Sequence, residues 1–356
     1  MGTGERTTIQ GGRVVQLITE RITYHSRSDQ FHWYHLSDLH VGARACDEKL
    51  LRQHIRTIVD DPVAIVTFGG DLADFIARKG DKRHLESTLA PWCWGKDDVL
   101  QTQLDYLRDE LLIAPLCAKA VAVLNGNHEA SPDQYQGAGV YRQIVKHIAQ
   151  HKGCQPAALA LGYSGFVQFQ FKRVASTGRS GSGWSLTAYL THGYGGGKLA
   201  GGHALELERI LGRYECDVAI AGHRHTEAYV PVMTSRVVGN RVVQSKRIGL
   251  FVAGYLGGGT ELSKGELPPT TYDQLKGYYP TTRGCVAILI DPDGREFAPV
   301  FSSAFGLLQR PVQLAQPVPE PPPPTPPTSR ARDVVPPHPL ELLPHDKPRP
   351  RKRKTA

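Results

Sequence analysis

The sequence has no apolar run long enough to cross a bilayer: no stretch approaches 18 uninterrupted apolar residues, and charged residues make up 21% of the chain. Its first thirty residues lack the apolar block of a secretory signal. The chain is therefore expected to be soluble and cytoplasmic, with no membrane partner. Cysteine pairs are also missing. The six cysteines (Cys46, Cys93, Cys117, Cys154, Cys216 and Cys285) include no C-x-x-C, which fits neither a disulfide scaffold nor a thiolate zinc site. Buried or bystander thiols are expected instead. Gly2 follows Met1, but Arg6 stands where myristoylation requires Ser or Thr. No Cys-His or Ser-His-Asp pattern offers a protein nucleophile. Lys198 is followed by Leu199, so the glycine-rich HGYGGGKLAGG segment from His192 to Gly202 is not a Walker loop.

What is present points to a folded α/β body with a tail. Apolar residues at 40%, together with 37 glycines, bring the total near half the chain, which excludes disorder throughout. A length of 356 residues suggests two folding units or one large one. Fifteen of the 26 prolines lie at or after Pro311, including PPPPTPP from Pro321 to Pro327. Such a segment cannot build helix or ladder hydrogen bonds and is expected to run as an extended, disordered tail. It ends in PRPRKRK. Residues 311–356 hold eight Lys/Arg against four Asp/Glu, half of the formal +8 charge, so the body is only mildly basic. The basic end suits phosphate backbones or a transport address, and equally a passive solvated tail. The expected divisions are an N-terminal extension over 1–30, one domain over 31–305 and the Pro-rich basic tail over 306–356.

Inside the body, short apolar runs alternate with helical patterns, as in α/β proteins. Leu100, Leu104, Leu107 and Leu111 share a helical face, with Asp97 and Asp98 placed to cap its start. Val140, Ile144, Val145 and Ile148 mark a second such face. Leu207, Ile210, Leu211 and Tyr214 mark a third. The strand candidates are FHWYHL (31–36), VAIVTF (63–68), AVAVL (120–124), TAYLT (187–191) and DVAIA (217–221), with further β structure in VVQSKRIGLFVAGY and CVAILI.

Each of the first five runs leads directly into polar residues able to bind metal: SDLH, GGDLAD, NGNHE, HG and GHRH. Loops beyond the carboxyl ends of strands converge on one crevice in open α/β sheets, so five segments distant in sequence can share one site. Singly, each cluster has an ordinary explanation. Asp38 and His40 can cap a turn, Gly126 and Asn127 can form one, and His223 and His225 can be surface residues. Their joint recurrence after apolar strands is what argues for a site.

The ordered motifs resemble those of the calcineurin-like metallophosphoesterase superfamily: D-x-H, G-D-x-x-D, G-N-H-D/E, a lone H and G-H-x-H. The resemblance implies a β-sandwich flanked by helices (αββα) and a pair of metal ions. One ion would be held by Asp38, His40, Asp71 and His225, the second by Asp71, Asn127, His192 and His223, with Asp71 bridging. It also implies His128 as general acid, with Asp74 orienting that histidine and favouring its protonated form; a helix cap is the alternative role for Asp74. Glu129 is expected to hold the loop. Imidazole mixed with carboxylate and amide oxygen, without thiolate, suits two divalent transition metals, with Mn first and Fe, Zn or Ni compatible. Two such cations can hold a bridging hydroxide that attacks phosphorus directly.

For the substrate, the protein phosphatase branch normally carries G-D-x-x-D-R, whose arginine clamps phosphate, and Phe75 stands at that position here. DLHVG followed by GDLADF looks more like the DNA-repair exonuclease branch, from which Glu129 departs by replacing Asp. The expected function is hydrolysis of phosphodiesters of DNA or nucleotides. The alternatives are a phosphomonoesterase or protein phosphatase of broad specificity, and a non-catalytic nucleic-acid-binding module, against which the intact ligand set argues. The six glycines between His192 and Gly202 suit close backbone approach to phosphate, or a flexible lid. Trp92 and Trp94 in PWCWG either stack a nucleobase or, as the simpler reading, pack under the helix that follows.

Overall fold

The computed structural model describes residues 16–76, 86–174, 180–195, 199–257 and 282–307. The chain divides between Val312 and Gln313 into two units, and the second, with the Pro-rich tail and its basic end, lies outside the described residues. The described strands form two six-stranded sheets. In the first, β1 (Gln16–Tyr24), β6 (Ser164–Val174), β7 (Ser180–Thr191), β8 (Val218–Ala221), β10 (Arg241–Phe251) and β9 (Ala228–Val238) lie side by side in that order. In the second the order is β12 (Glu296–Phe301), β11 (Val286–Asp291), β2 (Phe31–Leu36), β3 (Ala64–Phe68), β4 (Ala120–Leu124) and β5 (Ala160–Gly162). The pairs β2–β3, β3–β4, β7–β8 and β8–β10 are parallel.

Side-chain alternation explains the layering. Along β2, Trp33 faces the first sheet and packs with Ile65, Val121, Phe169, Leu186, Ile220, Leu250 and Ile288 in the core between the sheets. Tyr34 and Leu36 point the other way, into a core shared with Leu51, Ile55 and Ile58 of α1 (Glu48–Asp60), Leu104 of α2 (Val99–Tyr106), Leu116 of α3 (Ala114–Ala118) and Ile144 and Ile148 of α5 (Val140–Lys152). Strands buried on both faces read as unbroken apolar runs, as AVAVL does. The outer face of the first sheet is covered by α6 (Ala200–Arg213), whose Leu207 meets Ala221 and Phe251 and whose Leu211 meets Tyr189 and Ala219. The result is the expected αββα sandwich. Among the described residues no helix is long and apolar enough to cross a membrane.

Helix boundaries follow the local chemistry. Asp98, one of the two expected caps, accepts the Gln101 N–H at 2.9 Å, and the Leu104 face continues through Leu107 and Leu111 in a π-helical turn. α5 lies between Gly139 and Gly153, both in the left-handed region. β1 falls within the segment read as an extension (1–30). It pairs in parallel with β6 and puts Ile18 and Tyr24 into the sandwich core. All six cysteines are free thiols; Cys93, Cys117, Cys216 and Cys285 are buried.

Candidate metal centre

The motif residues occupy the loops directly beyond β2, β3, β4, β7 and β8, with a short helix, α4 (Asn127–Gln136), opening after β4. These loops meet at one end of the sandwich. Three groups each have donor atoms lying within 4.8 Å of one another: Asp38, His40 and His225; His40, Asp71 and His128; Asp71, His192 and His223. Asp71 and His40 connect the groups. Asp71 Oδ2 lies 3.7 Å from His40 Nε2 and 3.2 Å from His192 Nε2, while Asn127 Oδ1 lies 3.0 Å from His192 Nε2. His225 Nε2 is 3.9 Å from Asp38 Oδ1. The seven residues expected as ligands thus lie at one place, in three overlapping groups, of which the one with His40, Asp71 and His128 links the other two.

The donors are held in costly backbone conformations. Asp38, His40, Asp71, His223 and His225 all have positive φ, between 48° and 71°. Such values are uncommon for non-glycine residues, and they accumulate where the surrounding structure forces a side chain towards a functional point. The hydrogen bonds that do this are visible. The His223 N–H donates to Asp38 Oδ1 at 2.8 Å, and the Tyr255 N–H donates to the Asp38 carbonyl at 2.9 Å. The Ser37 hydroxyl donates to Asp38 Oδ2. Asp71 Oδ1 accepts the His128 N–H at 2.9 Å. Glu129 accepts three backbone N–H groups, from Asp71 at 2.9 Å, Leu72 at 2.7 Å and Gly126 at 2.9 Å, so it ties the second motif to the third. Gly126 is required there, since a Cβ would overlap Asp71 Oδ1 and the Asp71 nitrogen.

Charge and burial oppose each other at this centre. Asp38, His40, Asp71 and His192 are buried. Burial lifts the Asp38 carboxyl to about 6. Burial works against the Asp71 carboxylate too, but His192, His128 and His40 prevail and hold it below the ordinary carboxylate range. Burial likewise disfavours a charged His192, yet Asp71 and then Asp38 raise it to about 10. Its Nδ1 donates to the Gly69 carbonyl at 2.9 Å, which turns Nε2 towards Asp71. His40 Nε2 is buried without a hydrogen bond, and its Nδ1 has only the Asp74 carboxylate beside it, at 3.4 Å. Carboxylates and imidazoles packed this closely fit divalent cations, which would neutralise the carboxylates and use the imidazole lone pairs.

His128 is mostly buried, with its ring edge-on to His40 at 4.6 Å between centroids. Nδ1 donates to the backbone carbonyl of Asp74, and the Asp74 carboxylate lies 3.6 Å from the same nitrogen and 3.4 Å from His40 Nδ1. The contact expected between Asp74 and His128 therefore runs through the main chain, and the carboxylate is shared between two histidines. Burial lowers the His128 pKa despite Asp71 and Asp74. Asp74 to Ile76 are irregular, so no helix starts at Asp74 among the described residues. Phe75, at the position of the missing arginine, is buried in the helix-side core. Part of the glycine-rich segment (196–198) lies outside the described residues, and Gly201 and Gly202 belong to α6.

Other contributors carry no motif. Arg224, between His223 and His225, is ion-paired with Glu206 of α6 and lies over the Phe251 ring at 5.5 Å. The Tyr163 ring stands edge-on to His192 at 5.4 Å. Gly254 and Tyr255, beyond β10, press on Asp38. The glycines of VAGYLGGG (252–259), following a strand run, were the available signal for this sixth loop.

No family model matches this sequence, and no curated protein matches it. Among solved structures, the chain is similar to a conserved uncharacterized protein, a predicted phosphoesterase, from Streptococcus pneumoniae TIGR4: 13% identity, 77% of this chain and 98% of that one covered, TM-score 0.29. It is also similar to a metallophosphoesterase from Sphaerobacter thermophilus: 11% identity, 80% and 100% covered, TM-score 0.31. At such TM-scores the likeness carries no weight, and the functional reading rests on the centre's own geometry.

Proposed function

We propose that this chain is a two-metal phosphoesterase of the calcineurin-like type that hydrolyses phosphodiesters of DNA or nucleotides. The observation that carries this reading is the placement of the buried Asp71 carboxylate between two His/Asp groups, with His40 and His192 at 3.7 and 3.2 Å from one of its oxygens. In the proposal Asp38, His40, Asp71 and His225 hold one divalent cation, and Asp71, Asn127, His192 and His223 hold the other, Mn²⁺ being the first choice. Two cations so placed would polarise the phosphoester oxygens and activate water.

The protein's own groups supply the rest. A carbonyl can only accept, so the Asp74 main chain keeps a proton on His128 Nδ1, and Nε2 would give a proton to the leaving oxygen only from the imidazolium form, which burial opposes and Asp71 and Asp74 favour. The low exposure of His40, Asp71 and His192 strengthens every charge interaction at the centre. A diester is favoured because Phe75 is committed to the core and provides no cation to clamp a terminal dianion.

The test compares a model phosphodiester, a phosphomonoester, and single- and double-stranded DNA with Mn²⁺. Asp71→Asn and His192→Ala should each lower diester hydrolysis by several orders of magnitude while leaving circular dichroism unchanged. Undiminished rates in both variants would dispose of the site, and a preference for the monoester would dispose of the substrate class.

A further inference from the structure

The two tryptophans of PWCWG differ. Trp92 stacks on Tyr106 at 4.1 Å and is partly buried against Leu89, Cys93 and Val99. Trp94 is 44% exposed, and its indole N–H donates to the Leu89 carbonyl at 3.0 Å, which fixes the ring in place. The Arg44 guanidinium lies over the Trp94 ring, 5.9 Å from its centroid. With Glu86 and Ser87 these residues line a shallow, open cleft of about 350 Å³ that leaves one face of a bound planar group to solvent.

The cleft is joined to the metal centre by the first motif's own chain. Arg44 is four residues beyond His40, and four residues reach at most about 14 Å. The connection is stiff: Ala43 bridges to Leu89, the Arg44 N–H donates to the Thr88 carbonyl at 2.7 Å, and the Ala90 N–H donates to the Gly42 carbonyl at 2.8 Å.

We infer that Arg44, Glu86, Ser87 and Trp94 form a subsite for a nucleobase of the substrate, adjacent to the phosphodiester held at the metal centre. The inference rests on the phosphodiesterase reading above. An exposed indole face held rigid by its N–H offers a stacking platform that accepts any planar base. The guanidinium adds a second planar surface and a charge complementary to phosphate. Glu86 uses Oε1 to accept the Gly95 N–H at 3.2 Å, and its carboxylate retains capacity to accept from a base amino group. The subsite therefore favours bases carrying an exocyclic amine, such as cytosine, over uracil or thymine.

The experiment has two arms, both on the full chain. In the first, tryptophan fluorescence is titrated without metal against cytidine 5′-monophosphate, uridine 5′-monophosphate and ribose 5-phosphate. Saturable quenching is expected, stronger for cytidine than uridine and absent with ribose 5-phosphate. Calorimetry should find the binding lost in Trp94→Ala and retained, more weakly, in Trp94→Phe. Glu86→Gln should remove the cytidine preference. In the second arm, kcat/KM is measured with Mn²⁺ on a cytidine dinucleotide and on its abasic counterpart. Trp94→Ala should lose tenfold or more on the dinucleotide and nothing on the abasic diester. Equal losses on both, or no quenching in the unaltered protein, would overturn the subsite. Should no diester be hydrolysed at all, the phosphodiesterase reading fails alone, and the fluorescence arm still decides whether bases bind here.

Discussion

His192 Nε2 stands 3.2 Å from Asp71 Oδ2 in a part of the molecule closed to solvent. Without metal this contact is an ion pair, and it raises His192 to about 10. A cation must displace that proton before it can use the nitrogen. Metal binding at pH 7–9 is therefore expected to release about one proton from His192, and affinity should fall about tenfold for each pH unit of acidification across that range. Calorimetry in buffers of different ionisation enthalpy reads this directly; an affinity that does not change with pH contradicts it. The same pair affects the metal-free fold in a defined direction. The folded value lies above the ordinary histidine value near 6.5, so its stabilisation is complete below about pH 6.5 and is lost as pH rises towards 10.

Glu129 should matter to the fold more than to the chemistry. Its carboxylate satisfies the N–H groups of Asp71, Leu72 and Gly126, all inside the protein. Glu129→Ala leaves three donors without partners, and a loss of roughly 3 kcal/mol or more is expected in urea unfolding of the metal-free protein. A loss under about 1 kcal/mol would show that water replaces the carboxylate there.

The proton-donor role of His128 makes a separate prediction. His128→Ala should slow diesters with poor leaving groups about 10²- to 10⁴-fold, while activated aryl esters, which need no proton, lose far less. Equal losses on both would remove that role.

A buried histidine away from the centre gives the acid limb. His54 of α1 makes a 2.8 Å hydrogen bond with the Tyr255 hydroxyl, and burial lowers it to about 4. Above about pH 6.5 it is neutral in both states and contributes no pH dependence. Between pH 6.5 and 4 the unfolded chain takes up the proton first, so stability falls with acidification by up to about 1.4 kcal/mol per pH unit. In His54→Phe the slope should shrink by that share, leaving the part due to other buried histidines such as His35 and a constant offset from the lost hydrogen bond. A slope equal to that of the unaltered protein would refute the assignment.

Much of this was legible in the sequence because the informative residues sit where unbroken apolar runs stop. AVAVL followed by NGNHE and DVAIA followed by GHRH mark both the strand end and the donors. Less was legible where the pattern is not local. β9 contains Pro231, tolerable because it is an edge strand, and it is missing from the strand candidates read from the sequence. β1 lies in a segment with no motif, and its place is set by pairing with β6, more than a hundred residues away. The Glu206–Arg224 pair, the Tyr255 contact with Asp38 and the routing of His128 through the Asp74 main chain are products of tertiary packing. No residue type at a fixed spacing announces them. Trp92 and Trp94, identical in type and two residues apart, part ways because one finds Tyr106 and the other Arg44.

The most direct measurement is anomalous scattering from crystals equilibrated with Mn²⁺. Two peaks should flank the Asp71 carboxylate, one beside Asp38, His40 and His225 and the other beside Asn127, His192 and His223, and both should weaken or vanish in Asp71→Asn. A single peak, or two peaks that persist without the Asp71 carboxylate, would contradict the paired centre on which the functional reading stands.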